Sequence, residues 1–507
     1  MNYKLLLLLV LQLSLYAHGQ QISPKREFRA VWIATVQNID WPTKPGPVAD
    51  QHLQEFIKLL DFHQANGMNA VVVQIRPAAD AFYKSSYEPW SHWLTGQQGM
   101  PLRDDFDPLT TMIEETHKRC MEFHAWLNPY RANLDTANHN LAPNHVVNAH
   151  PEWILKYGKQ QILDPAIPEV RAFVTNVVTD IVKRYDVDAI HFDDYFYPYK
   201  IKDVDFPDTL SFALYNRGFD STRIADWRRD NVDLIIKMLH DSIKAYNPRV
   251  KFGISPFGIW KNKSTDPNGS DTQGYTNYEG LYADILLWLR NGWIDYVVPQ
   301  IYWEIGRSGA AFEVLAKWWS ENNYGKHLYI GQAAYRADEK STSKAWQNPS
   351  ELPNQIRLIR KYNEISGSVF FSSKSLVNNK MGITDSLRQG AYPYKALVPA
   401  MPWIDKTPPL QPTGLSKQRL KNAYKLTWKS NAPADSVWFY AVYRFTKKQT
   451  ISTDNPKCIL SFVTTPEITI NSKPAIFKKR YNYLVTAIDR NNNESVASSR
   501  LLLKLKD

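Results

Sequence analysis

Between Phe28 and about Ser373 the chain alternates short β-rich runs with longer stretches whose apolar residues recur every three or four positions. The runs are FRAVWIAT (Phe28–Thr35), AVVVQIRP (Ala70–Pro77), FHAWLNPY (Phe123–Tyr130), AIHFDDY (Ala189–Tyr195), KFGISPF (Lys251–Phe257), DYVVPQIYW (Asp295–Trp303), LYIGQAAY (Leu328–Tyr335) and SVFFSS (Ser368–Ser373). The clearest helical stripe is Val170, Phe173, Val174, Val177, Val178, Ile181 and Val182, with further helices expected near Gln51–Ala65, Leu109–Cys120, Thr222–Tyr246, Tyr278–Asn291, Ala310–Asn322 and Pro349–Glu364. Strand followed by helix, eight times, predicts an α/β fold of the (β/α)8 TIM-barrel type. A doubly wound open sheet competes, but no glycine-rich phosphate fingerprint follows the first strand.

Loop lengths orient this barrel. Helix-to-strand connections are tight, at Asn66-Gly67, Asn247-Pro248, Asn291-Gly292 and Ser366-Gly367. Strand-to-helix connections are long, so the excess chain falls at the carboxyl ends of the strands, the rim where barrel active sites lie. These loops carry Tyr83, Tyr87, Trp90, Trp93, Trp153, Tyr157, Tyr197, Tyr199, Trp260 and Tyr275. Taken together they suit a groove whose aromatic faces stack on sugar rings; singly, each suits packing of a loop onto the barrel.

After residue 400 the pattern changes. The prolines of PAMPWIDKTPPLQPTGL mark a linker over 401–413, and the short alternating runs of 414–507 predict a small all-β, immunoglobulin-like sandwich. Trp428 and the stretch YNYLVTAIDRNNNES resemble fibronectin type III domains. At the other end, Lys4, the apolar run Leu5–Leu11 and Ala17-His18-Gly19 read as a signal peptide over residues 1–20, ahead of a barrel spanning 27–400. That places the mature chain outside the cytoplasm, periplasmic or extracellular, with no transmembrane segment after cleavage. Two cysteines, Cys120 and Cys458, supply no disulfide framework. The formal charge of +11 suits an anionic polymer, but no Lys/Arg block points to nucleic acid.

Candidate chemistry gathers at AIHFDDYFYPY. Alternation sends His191 and Asp193 into the barrel and Ile190 and Phe192 toward the helices, with Asp194 at the last position, able to reach the rim. Confinement raises a carboxyl pKa, which a general acid near neutral pH requires. A glycosidase commonly pairs two carboxyls, about 5 Å apart for retention or about 6.5–9.5 Å for inversion. Glu304 is the best-placed partner, ahead of Asp164 and Asp80. The alternative lets an N-acetyl group on the substrate attack, with Tyr302 and an aspartate orienting the amide. Substrate contacts are expected from Arg76, Asn128, Tyr130, Arg131, His191, Tyr195, Tyr197, Trp260, Gln300, Trp303, Gln332 and Tyr335. No cofactor is expected. A metal-dependent deacetylase is a lesser alternative, since His124, His191, Asp193 and Asp194 form none of the common metal motifs. A non-catalytic glycan-binding barrel is a further one.

The segments EFRAVWIATVQNIDWP, VVVQIRPAADAFY, HAWLNPYR, IHFDDYFYPY, GISPFGIW, DYVVPQIYW and FFSSKSL together resemble the glycosyl hydrolase-like family 10, over about Glu27 to Asp405. The resemblance implies a TIM barrel, hydrolysis of glycosidic bonds and, as for some relatives, action on peptidoglycan strands stripped of their peptides. It implies that the catalytic acid is Asp193 or Asp194. Family members commonly have a small polar residue where this chain has Glu304, which turns the resemblance toward the substrate-assisted route. Many are lipoproteins, whereas this chain has no lipobox cysteine.

Overall fold

The computed structural model of the chain describes residues 23–506, apart from 104, 138–139, 432, 434–435 and 473–477. The expected signal peptide lies outside the described residues. Eight parallel strands close on themselves: β1 (Phe28–Ile33), β2 (Ala70–Arg76), β3 (Glu122–Leu127), β4 (Ala189–Phe192), β5 (Lys251–Ile254), β6 (Tyr296–Val297), β7 (His327–Gln332) and β8 (Ile365–Phe370). Each pairs with the next, and β8 closes on β1 through Phe28 opposite Gly367 to Val31 opposite Phe370. The protein is a TIM barrel.

Strand parity builds two cores. Outward residues such as Val31, Val71, Val73, Ile190, Phe192 and Phe252 join the large cluster beneath the helices. Inward residues Phe28, Ala30, Trp32, Val72, Trp126, Tyr296, Tyr329 and Val369 fill the axis. The helix Pro168–Arg184 starts on a proline at its first turn and buries Val170, Val174, Val177, Val178 and Ile181, each worth roughly 1.5–3 kcal/mol of apolar burial. The helix Pro108–Lys118 is capped by the Asp107 carboxylate, which accepts from Leu109 N at 3.1 Å. The helix expected over Tyr278–Asn291 is broken into Asn277–Gly280 and Ile285–Arg290.

The axis is tight enough to dictate a glycine. An ideal Cβ on Gly253 of β5 would lie 2.0 Å from the Tyr296 ring, so that strand position must stay bare for the tyrosine to cross the barrel.

The carboxyl-terminal segment folds as two antiparallel sheets. One holds Thr413–Arg419, Ala423–Lys429 and Glu467–Asn471; the other holds Ile459–Val463, Phe439–Thr446, Lys478–Ile488 and Leu501–Lys506. The segment 401–413 is no free tether at its start. Met401 is buried in the axial core, and Trp403 Nε1 donates to Asp295 Oδ1 at 3.0 Å. The β domain itself seats on the amino end of the barrel. Arg490 meets both Asp186 and Asp188 at 3.1 Å, Lys25 meets Glu494 at 2.5 Å, and Asn492 Nδ2 donates to Glu122 Oε1 at 2.7 Å. Among the described residues no helix is long and apolar enough to cross a membrane.

Candidate active site

At the carboxyl rim lies a cleft of about 260 Å³, walled by Trp32, Gln74, Trp126, Arg131, Asp193, Asp194, Tyr195, Ser255, Gln300, Tyr302, Tyr335 and Phe371, with Ala34, Val36 and Ile39 at one side. β4 ends at Phe192, so Asp193 and Asp194 sit in the turn beyond it, freed from strict alternation. Both carboxylates therefore line one space.

Asp193 Oδ2 accepts from Asn128 Nδ2 in a short hydrogen bond and from Trp126 Nε1 at 3.2 Å; its Oδ1 accepts from Tyr195 N at 3.3 Å. Asp194 Oδ2 accepts from the Tyr199 hydroxyl, and its Oδ1 from Gln300 Nε2 at 3.3 Å. Burial, opposed by the Arg131 guanidinium and reinforced by neighbouring Asp194, pushes the Asp193 carboxyl up to about 7. Burial raises Asp194 as well, against the hydrogen bonds from Tyr199 and Gln300. Arg131 lies 4.5 Å over the Tyr195 ring and fixes that wall. Tyr302 packs edge-on to Tyr335 at 6.0 Å, and Tyr335 is 47% exposed, which leaves its face open to a ligand.

The cleft thus gathers Asp193, Asp194, Tyr302, Arg131, Tyr195, Gln300 and Tyr335 from the residues named on sequence grounds. The others lie elsewhere. Glu304 faces the loop after β7: its carboxylate accepts from Ser343 Oγ and Trp346 Nε1, both at 2.9 Å. The strand carrying it ends at Val297, and Glu304 has turned out of the rim mouth. Asp164 is held by Ser211, and Asp80 by Gln98 at 3.2 Å. Arg76 is fully buried in an ion pair with Glu88 at 2.5 Å, supplied by its own loop. Asn128 acts on Asp193 from behind and takes Gln74 Nε2 on its own oxygen at 2.6 Å. His191 lies under the floor, 2.9 Å from Ser255 Oγ.

Tyr130 is buried with its hydroxyl unpartnered, and Tyr197 bonds Asn231 at 3.1 Å. Trp260 donates to Asp284 at 3.3 Å, Trp303 packs on Phe257 at 5.5 Å, and Gln332 donates to Gln355 at 3.0 Å. The loop side chains among these pin long loops to the barrel, because a loop that size needs a small core of its own. The walls that sequence reasoning did not single out, Trp32, Gln74, Trp126 and Phe371, carry a legible signal. Trp32, Gln74 and Trp126 are the last or nearly last inward residues of their strands, and Phe371 directly follows β8. Among the described residues no group of three histidine, cysteine, aspartate or glutamate side chains converges to hold a metal ion.

Residues 27–348 match the family model described as glycosyl hydrolase-like 10. This chain belongs to that family. It is 48% identical over 484 residues to the glycosyl hydrolase YngK of Bacillus subtilis (strain 168), covering 94% of this chain and 93% of that one. It is 39% identical over 365 residues to the glycosyl hydrolase DigH of Escherichia coli (strain K12), covering 68% of this chain and 82% of that one. A solved structure similar to it is the PgaB glycoside hydrolase domain from Bordetella bronchiseptica, at 12% identity and a TM-score of 0.48, covering 73% of this chain and 99% of that domain. The match to YngK runs beyond the barrel through most of the β domain.

Proposed function

We propose that the chain is an exported glycoside hydrolase that cleaves a bacterial glycan, with peptide-free peptidoglycan strands as its substrate. The observation that carries this reading is the pair of adjacent carboxyls in one aromatic-walled cleft, both held toward the neutral form by burial. Family membership and the glycosyl hydrolase names of the relatives support the reaction class. Export rests on the apolar leader read in the sequence. The three-plus-four strand order supports a fibronectin type III-like sandwich as the second domain.

The acids that line the cleft are Asp193 and Asp194. Neighbours at one strand end approach a sugar from the same side, whereas a nucleophile and an acid must flank the scissile bond. This favours the substrate-assisted route. Asp193, with a pKa of about 7, gives its proton to the leaving glycosidic oxygen. The substrate's acetamido carbonyl oxygen attacks the anomeric carbon, and Asp194 with Tyr302 orients the amide. Water then opens the cyclic oxazolinium and returns a proton to Asp193.

The test is release of reducing ends from peptide-free peptidoglycan. Asp193→Asn should cut turnover by about 10²–10⁴-fold and regain much of it on an aryl glycoside whose leaving group needs no proton. Asp194→Asn should lose comparable activity on both substrates. Binding without product from the unsubstituted chain would leave a glycan-binding barrel, and unchanged turnover in both variants would remove the pair from the mechanism.

A further inference from the structure

Beneath the cleft floor a buried column of hydrogen bonds runs down the barrel axis. Trp32 Nε1 lies 3.4 Å and Ser255 Oγ 2.9 Å from His191 Nε2. His191 Nδ1 is 3.0 Å from the Tyr296 hydroxyl, which is 2.8 Å from His124 Nδ1. His124 Nε2 meets Glu122 Oε2 at 2.8 Å. The other Glu122 oxygen accepts from Lys251 Nζ in a short contact and from Asn492 Nδ2 of the β domain at 2.7 Å. All of these side chains are buried.

The two ends fix every hydrogen between them. Burial works to raise the Glu122 pKa, yet Lys251 and His124 pull it down to about 2, so the carboxylate only accepts. His124 Nε2 therefore carries a hydrogen, and its Nδ1 lies within reach of the Tyr296 hydroxyl. An indole N–H only donates, so His191 Nε2 carries none. Burial holds His191 neutral, which puts its one hydrogen on Nδ1, donated to the Tyr296 oxygen, whose own hydrogen is left for His124 Nδ1. The column is satisfied in this direction; reversed, it would set two hydrogens face to face at Trp32. The lone hydrogen of Ser255 has two acceptors within reach, His191 Nε2 and Phe192 O at 3.3 Å, and that carbonyl already takes Ser255 N at 2.8 Å. Neither His191 nor Phe192 lines the cleft, so with its hydrogen given to either one the hydroxyl keeps its lone pairs for a ligand.

We propose that Ser255 is a specificity-determining acceptor for a hydroxyl or amide N–H of the bound sugar, its polarity imposed by a one-way column that reaches Asn492 of the β domain. Ser255 touches the ligand; Tyr296, His124 and Glu122 are positioning residues. The proposal rests on the glycan reading for its ligand and on the column alone for its polarity, and the test separates the two.

Histidine tautomers are read in two-bond ¹H–¹⁵N spectra of the full chain labelled in its 12 histidines, with His191 assigned against His191→Gln and Tyr296→Phe. The expected result is the Nδ1–H form of His191 and the Nε2–H form of His124; an Nε2–H form of His191 would overturn the column whatever the chain hydrolyses. In the second arm, Ser255→Ala should raise KM for the glycan roughly tenfold, the share of one hydrogen bond, with kcat little changed and with recovery in Ser255→Thr. Tyr296→Phe should raise KM similarly, and the double variant should be no worse than either single one, since both remove the same acceptor. Multiplying effects, or an unmoved KM in Ser255→Ala, would overturn the role of Ser255. Lack of any turnover by the unsubstituted chain would count against the glycosidase reading, while the tautomer spectrum would still decide the column.

Discussion

At Asp193, burial favours the neutral carboxyl while three donors and Arg131 favour the anion, and burial prevails, leaving the group near 7. A step that needs its proton should slow as pH rises through about 7, so kcat/KM on the glycan should fall on that limb, and the fall should vanish in Asp193→Asn with an activated aryl glycoside. Asp80 shows the same physics outside the cleft. Burial first, and then Glu88, raise it to about 7 against hydrogen bonds from Ser91 and Gln98. Its folded pKa lies above the unfolded value, so its contribution to stability is complete below about pH 4 and is lost as pH climbs through 7. Asp80→Asn should therefore raise the thermal midpoint at pH 8 and change it little at pH 4. Glu304, hydrogen-bonded to Ser343 and Trp346, belongs to the loop after β7. Glu304→Gln should lower stability by about 1–3 kcal/mol while turnover stays within a few-fold of the unsubstituted chain.

Among the elements, the point at which a strand stops decides which side chains share a space. β4 ends at Phe192, so Asp193 and Asp194 both reach the cleft, where continued pleating would have sent them apart. β2 carries Arg76 inward, and the loop that follows returns Glu88 to it. Removing one partner of a buried pair strands the other's charge, so Arg76→Leu should cost about 3–5 kcal/mol by denaturant unfolding, and loosen the loop that holds Tyr83 and Trp90. The alternation of Phe28, Ala30 and Trp32, or of Glu122, His124 and Trp126, was legible as two-residue periodicity. Glu88 was not, because it comes from a loop with no period to read. Gly253 in KFGISPF was a sign in plain view, since a bare position inside a strand marks a close approach, here by Tyr296.

In the whole molecule, the β domain closes the amino end of the barrel. Its turn Asp489–Ser495 buries Asn491, Asn492 and Asn493, and Asn492 adopts the left-handed conformation that asparagine tolerates, with φ 64°. Arg490 bridges to Asp188, whose carboxyl is held low against burial by Arg490 and His117. The two domains should therefore unfold in a single calorimetric transition, which Arg490→Ala should lower by about 2 kcal/mol or split in two. Because the Asp188 pKa is depressed in the folded chain, this anchor's contribution is complete above the unfolded value near 4 and is lost as pH falls from there through the lower folded value. The sequence by itself determined the eight strand–helix units, the rim that carries the long loops, the tandem acid at the fourth strand and the all-β segment after residue 400. All of these follow from local periodicity, loop length and turn chemistry, which short stretches of chain contain. Only the tertiary structure decided that Glu304 and Arg76 face partners of their own and that Asn492 meets Glu122 at the far end of the axis. Those are pairings across spans from 12 to 370 residues, set by loop return, barrel closure and domain docking, and no local pattern encodes them.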